Sequence, residues 1–360
     1  MKKKILIGLL MLLGLVVLAG VLLWYFMGRP LYEPGMVRAG KNLRASLTPP
    51  EQPGDANFWS VEKDISLFHF SDGTGKSVLV VHGGPGYPIH NPLPGLRLLS
   101  AKYQFIYYDQ RGCGKSTRPF DRFSSSNFFE NAKVLDRTLG LGAQVADMER
   151  IRRNIGEEKV ILLGHSFGAF LASLYAAEFP QNVEALILVA PANVLVMPAE
   201  GGGLFEDIRK LLPESRQQEY ADYLKRLLDY GNLFSKSEAE LAALNGEFAK
   251  YYRAAAASRN LSIPAENEPS DNGGWMVHAM YLSMGKRHDY RAALKSVKAP
   301  VLVIHGEKDL QAEKASRAYG DSFPHAKFQV IKNASHFPFS EQPEEFAAVA
   351  GKFLTEVNQE

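Results

Sequence analysis

Gly164-His165-Ser166-Phe167-Gly168 follows the apolar run Lys159 to Gly164 and leads into a helical pattern, AFLASLYAAEF, that stops at Pro180. A serine hydroxyl is a poor nucleophile at neutral pH, so acyl transfer needs a base within hydrogen-bond reach and an acid to orient that base. A sharp turn between strand and helix is the setting that exposes such a serine, and glycines on either side leave room where side chains would clash. Ser166 is therefore the candidate nucleophile. On such elbows the partners follow in the order serine, acid, histidine. His305-Gly306-Glu307-Lys308-Asp309 ends the last strongly apolar run and offers Asp309 as acid, with Glu307 as the fallback. Asn333-Ala334-Ser335-His336 follows the run KFQVI and precedes Phe337-Pro338, a loop suited to holding an imidazole.

His336 is the expected base among nine histidines. His165 lies inside the elbow, and His82 and His305 end strands. His69, His90, His278, His288 and His325 lack the combination of order and context. Acyl transfer also needs donors aimed at the developing oxyanion, each worth about 3 to 4 kcal/mol. His82-Gly83-Gly84-Pro85-Gly86 supplies a loop whose backbone can approach a substrate closely. The expected donors are the N–H groups of Gly84 and Phe167, with that of Gly83 as an alternative.

Asp109-Gln110-Arg111-Gly112-Cys113-Gly114-Lys115-Ser116 invites a phosphate-loop reading, since Gly-Lys-Ser follows a strand. The first glycine of that motif would fall on Asp109, which leaves the backbone cradle incomplete. A turn beside the active site, braced by Asp109 and Arg111, is the expected structure.

These loops require a sheet to carry them. Ser77–His82, Gln104–Asp109, Lys159–Gly164, Ala185–Ala190 and Pro300–His305 are short and apolar almost throughout, as strands buried on both faces must be. They alternate with helical patterns, so the expected fold is α/β with a mostly parallel central sheet. Between Pro191 and about Val297 strand signals stop. Tyr220, Tyr223, Tyr230, Phe248, Tyr251, Tyr252 and Tyr281 are spaced among charges there, the pattern of an inserted helical cap in which most aromatics pack. Gly201, Gly202 and Gly203 mark a hinge or loop where it begins. The expected organisation is a core of 58–192 and 296–360 with the cap at 193–295.

Lys2, Lys3 and Lys4 precede Ile5–Met27, an apolar run with no charged residue. As a helix it would be roughly 35 Å long, enough for a hydrocarbon core of about 30 Å. It is too long for the apolar region of a cleaved signal peptide. The expectation is an N-terminal transmembrane helix within 1–27 holding the protein to a lipid bilayer through residues 5–27. The leading lysines favour a catalytic domain on the non-cytoplasmic side. Residues 28–57 carry Pro30, Pro34, Pro49, Pro50 and Pro53, expected as an extended linker.

A composition of 46% hydrophobic and 22% charged residues is that of a globular chain. A net charge of +2 without a dense basic block beyond the N-terminus argues against a nucleic-acid partner. Cys113 is the single cysteine, which excludes an intramolecular disulfide and a cysteine-based zinc site.

Together HGGPG at His82–Gly86, DQRGCGKS at Asp109–Ser116, GHSFG at Gly164–Gly168, GEKD at Gly306–Asp309 and SH at Ser335–His336 resemble the proline iminopeptidase family of α/β-hydrolases, over roughly residues 58 to 357. Carried over by position, the family's triad falls on Ser166, Asp309 and His336. The resemblance implies an α/β-hydrolase fold and removal of an N-terminal residue, often proline, from a small peptide or amide, with no metal or cofactor. The elbow differs from many proline-specific members in carrying His165 and Phe167 where those have Gly and Trp. The cap also lacks their readable Trp-and-Glu signature for the substrate amine.

Glu247 is the candidate for that amine role. It is drawn from cap carboxylates that include Glu206, Glu214, Glu219, Asp222 and Glu240, of which one or two are expected to face inward. The alternative function is a membrane-associated esterase or lysophospholipid hydrolase using the same triad. Dehalogenase and epoxide-hydrolase chemistry would place Asp at the elbow. A non-catalytic scaffold would have lost part of the triad.

Overall fold

The computed structural model describes residue 14 and residues 28–52, 54–261, 263 and 271–359. The expected anchor at 5–27 lies outside the described residues, apart from Gly14. Among the described residues no helix is long and apolar enough to cross a membrane.

The strands are β1 (Phe58–Glu62), β2 (Ile65–Asp72), β3 (Lys76–Val81), β4 (Tyr103–Tyr108), β5 (Val160–His165), β6 (Val183–Val189), β7 (Val196–Met197), β8 (His288–Asp289), β9 (Val301–Gly306) and β10 (Ala326–Ile331). Eight form one sheet in the order β1-β2-β4-β3-β5-β6-β9-β10. From β4 to β10 all pairings are parallel. The five apolar runs of the sequence become β3, β4, β5, β6 and β9. Their alternate residues serve opposite faces: Leu79 and Val81 join one core cluster, Val78 and Val80 the other. The antiparallel strands β1 and β2 were not read from the sequence. On this edge His69 and Ser71 are only partly buried or exposed, so no continuous apolar run marks them.

One face is covered by α1 (Phe128–Leu139), α2 (Leu141–Asn154) and α3 (Phe167–Glu178), whose Leu135, Met148 and Phe170 share the cluster of Leu79. Between β6 and β9 lie α4 (Gly203–Leu211), α5 (Glu214–Leu227), α6 (Glu238–Gly246), α7 (Phe248–Ala257) and α8 (Trp275–Met284). Gly201, Gly202 and Gly203 all take positive φ where α4 begins. Tyr220, Tyr223 and Tyr251 pack ring to ring with centroids 4.9 to 6.1 Å apart and form the centre of the helical insertion. The short pair β7–β8, absent from the sequence reading, ties the two ends of the insertion together. Where α6 gives the core cluster Leu241, α8 sinks Trp275, Met276, Met280 and Met284 into it. On that first side α9 (Glu313–Gly320) flanks β9 and adds Tyr319 to the cluster of Leu79, while α10 (Pro343–Val357) covers the second face with Phe346, Phe353 and Leu354.

The expected extended linker needs correction. Tyr32 and Val37 are buried in the core cluster. The Glu178 carboxylate, fully buried at the end of α3, accepts from the Tyr32 hydroxyl at 3.2 Å, from the Arg38 N–H at 2.5 Å and from the Gly35 N–H. Leu31 and Tyr32 N–H groups donate to the Ser283 carbonyl at 2.8 and 3.2 Å, and Lys286 N–H donates to Gly28 O at 3.0 Å. A buried carboxylate without donors is costly, and here it gathers the 32–38 turn onto the body. Prolines punctuate this stretch, but long-range hydrogen bonds decide its conformation.

Candidate active site

The elbow forms because β5 ends at His165 and α3 starts at Phe167, which leaves Ser166 alone to make the turn. It does so at φ 53° and ψ −119°, outside the regions a non-glycine residue ordinarily occupies. The flanking glycines are steric necessities. A Cβ on Gly164 would stand 2.5 Å from Ala169 Cα, and one on Gly168 would stand 2.1 Å from the Val81 carbonyl oxygen. Ser166 thereby sits at the N-terminus of α3, where unpaired N–H groups and the helix dipole favour negative charge.

Asp309 follows β9, and His336 lies on the loop after β10. His336 Nδ1 and Asp309 Oδ2 are 2.8 Å apart, and Asp309 Oδ1 accepts the Gln311 N–H at 3.0 Å. Burial pushes the Asp309 carboxyl up, but the neighbouring His336, its hydrogen bond and the Gln311 N–H outweigh that and hold it below the usual carboxylate value. An ionised Asp309 accepts only, so His336 carries its proton on Nδ1 and presents a bare Nε2. That is the tautomer a general base requires. Ser166 Oγ makes no hydrogen bond to His336 among the described residues, a separation that ligand-free geometry often shows and that does not disqualify the pair.

Glu307, the fallback acid, points elsewhere and accepts the Asn333 N–H at 3.0 Å. Ser335, beside the base, is held by Glu341, which accepts its hydroxyl at 2.6 Å and its N–H. Leu310 belongs to the hydrophobic cluster of the helical insertion and Phe337 packs against it, so the insertion rests on the neighbours of both Asp309 and His336. Ser166 and His336 are 9% and 6% exposed, a site roofed over rather than open.

The His82–Gly86 loop meets the elbow through Gly83, where a Cβ would lie 2.8 Å from Ser166 Cβ. Gly84 follows at φ 114°, next to the Tyr87 ring. The N–H groups of Gly84 and Phe167, the expected oxyanion donors, have no acceptor among the described residues. His82 Nε2 accepts the Gln110 N–H at 3.1 Å, so its Nδ1 proton points to Gly83 O at 3.0 Å. Burial pushes this imidazole down to about 4 and keeps it neutral. His82 thus ties the glycine loop to the Asp109–Ser116 turn.

That turn is braced as expected, and more deeply than expected. Asp109 Oδ2 accepts the Lys115 N–H at 2.8 Å. Arg111, fully buried, pairs with Asp147 and with Glu62 at 3.0 Å, and Arg150 pairs with the same two carboxylates at 3.0 and 3.2 Å. Two buried cations and two buried anions cancel, and the partly exposed Arg44 adds a third cation 3.5 Å from Glu62. Removal of one would leave an unpaired buried charge at about 3 to 5 kcal/mol.

The amine role expected of Glu247 does not survive. Its carboxylate is taken at 2.7 and 2.9 Å by Arg226 on the outer side of the insertion. Glu206, Glu219, Asp222 and Glu240 likewise pair with Arg209, Lys250, Lys225 and Arg122, and Glu214 is exposed. None of the six faces inward: five are claimed by surface cations and Glu214 lies in solvent. Glu238 is buried, but it accepts the Gly274 and Trp275 N–H groups at the start of α8 and pairs with Arg118 at 2.6 Å. Beside the glycine loop stands Asn245, overlooked in the sequence. Its Nδ2 donates to the carbonyls of Gly273 and Gly274 at 2.7 and 3.2 Å, and its buried Oδ1 has no partner among the described residues. Gly273 N–H in turn donates to Gly86 O at 2.9 Å.

The family model described as alpha/beta hydrolase fold matches residues 76–343. The proline iminopeptidase of Heyndrickxia coagulans is 29% identical over 304 residues, covering 81% of this chain and 96% of that protein. In fold, the proline iminopeptidase of Mycobacterium smegmatis aligns at a TM-score of 0.54 and 21% identity, over 82% of this chain and 97% of that one. A membrane phospholipase A, described as a bacterial virulence factor, aligns at 0.55 and 22% identity, over 99% and 100%. By its sheet, its elbow and this match, the chain belongs to the alpha/beta hydrolase fold family, among relatives of the proline iminopeptidase type.

Proposed function

We propose that the chain is a serine hydrolase that removes an N-terminal residue, proline among them, from small peptides or amides through an acyl-enzyme. The observation that carries this reading is the glycine loop His82–Gly86 seated against an elbow whose serine shares a roofed site with the Asp309–His336 pair. His336 Nε2 takes the Ser166 proton, Ser166 Oγ attacks the carbonyl, and the Gly84 and Phe167 N–H groups receive the oxyanion. His336 then returns the proton to the leaving amine, and water repeats the cycle on the ester.

The relatives named proline iminopeptidase support the amine-terminal preference. With no cap carboxylate turned inward among the six candidates, the substrate amine meets neutral oxygens, and Asn245 Oδ1 is the acceptor assigned to it. Acetylating the amine of a good aminoacyl arylamide removes the ammonium donors and adds bulk under a closed roof. The expected result is a loss of at least about 100-fold in kcat/KM, as sites built for a polar group reject analogues lacking it. Equal rates on free and acetylated amines, with hydrolysis of long-chain esters, would replace this reading by the esterase or lysophospholipid alternative.

Membrane attachment through residues 5–27, with the catalytic body on the non-cytoplasmic side, is part of the same proposal and rests on the uncharged apolar run behind three lysines. The protein should stay in the membrane fraction through high-salt and alkaline washing, because apolar burial is not screened by salt. Deletion of residues 1–27 should release it. A mature chain beginning after Gly20 would contradict an uncleaved anchor.

A further inference from the structure

The residue before the proposed nucleophile is a histidine, and the site gives its ring a hydrogen-bond partner. His165 Nε2 lies 2.8 Å from the backbone carbonyl oxygen of His336. A carbonyl only accepts, so Nε2 carries the proton and donates. The ring is 7% exposed and wedged among three aromatic neighbours, with centroids 4.9 Å from His336, 5.2 Å from Phe337 and 5.0 Å from Phe339. Burial, reinforced by the nearby His336, pushes the His165 imidazole down to about 3, so it stays a neutral single donor.

The His336 loop is also held by Asp309 on the ring, by Glu341 on Ser335, by Glu307 on the Asn333 N–H and by the Lys308 N–H on the Ala334 carbonyl. None of these contacts involves the residue next to Ser166. We propose that His165 is a positioning residue: its Nε2–H to His336 C=O hydrogen bond sets the distance between the elbow and the base loop, and so between Ser166 Oγ and His336 Nε2. This rests on the proposed nucleophile and base, but not on the substrate class. A displacement of the base by about 1 Å is enough to cost about 100-fold in rate.

The test is the rate at which a fluorophosphonate labels Ser166 in the full-length protein, a reaction that needs an activated serine and no amine recognition. His165→Phe keeps the ring and deletes the donor; His165→Gln keeps a donor on a flexible arm. We expect labelling by the Phe variant to fall at least about fivefold and the Gln variant to recover most of that loss, with melting temperatures that do not follow the same order. Labelling of the Phe variant less than fivefold below wild type, or equal losses in both variants, would overturn the positioning role. If the Phe variant does not fold, His165→Gln against His165→Leu decides it by the same criterion. Wild-type protein that labels rapidly yet cleaves no amide leaves this inference standing and removes only the aminopeptidase reading.

Discussion

Ser166→Ala should reduce turnover by about a million-fold, the scale on which serine enzymes fall when the attacking oxygen is lost and only binding and oxyanion stabilisation remain. The substitution deletes one oxygen and keeps a Cβ, so the turn at φ 53° is neither relieved nor worsened. Neither Gly164 nor Gly168 is disturbed. The melting temperature should therefore stay close to wild type while kcat on an aminoacyl arylamide falls to the limit of detection. Turnover above a few per cent of wild type would mean that another group attacks.

Asp309→Asn should follow with a loss of about ten-thousand-fold in kcat, because the amide presents a donor to His336 Nδ1 and selects the tautomer with its proton on Nε2. A base already protonated on the side facing Ser166 cannot take the serine proton. In the wild type the Asp309 carboxyl lies below its ordinary value despite full burial, so its ionised form contributes stability above the unfolded carboxylate range. That contribution is lost as the pH falls through the folded value. The stability gap between wild type and Asp309→Asn should accordingly be full near neutral pH and narrow in acid. A variant retaining more than a tenth of wild-type kcat would remove Asp309 from the orienting role.

Where chemistry demands a local pattern, the sequence was readable. Buried parallel strands must be apolar on both faces, so β3, β4, β5, β6 and β9 stood out, and the elbow needs glycines at fixed offsets. The edge strands β1 and β2 escaped because an antiparallel edge with one wetter face mixes residues such as His69 and Ser71 into its run. Long-range partners escaped for a different reason. That Glu178 would collect Gly35 and Arg38, or that Arg226 would claim Glu247, depends on which turns of separate helices come to face each other. Spacing along the chain carries no such information. Asn245 was invisible because an asparagine between alanine-rich and aromatic stretches reads as surface until its two carbonyl partners are seen.

The bonds that hold residues 28–32 change how the start of the described body should be pictured. Lys286 N–H reaches Gly28 O just beyond the C-terminal end of α8, while Gly273, just before its N-terminal end, bonds to Gly86 of the glycine loop. Ten residues of helix span about 15 Å. With the proposed anchor joined at Gly28 there would be no leash: the reach of Ser166 would be a lever arm of about one short helix, fixed in direction by the body itself. So moored, the protein would patrol a thin layer rather than a hemisphere swept by a slack chain, and lengthening residues 39–57 would leave that layer unchanged.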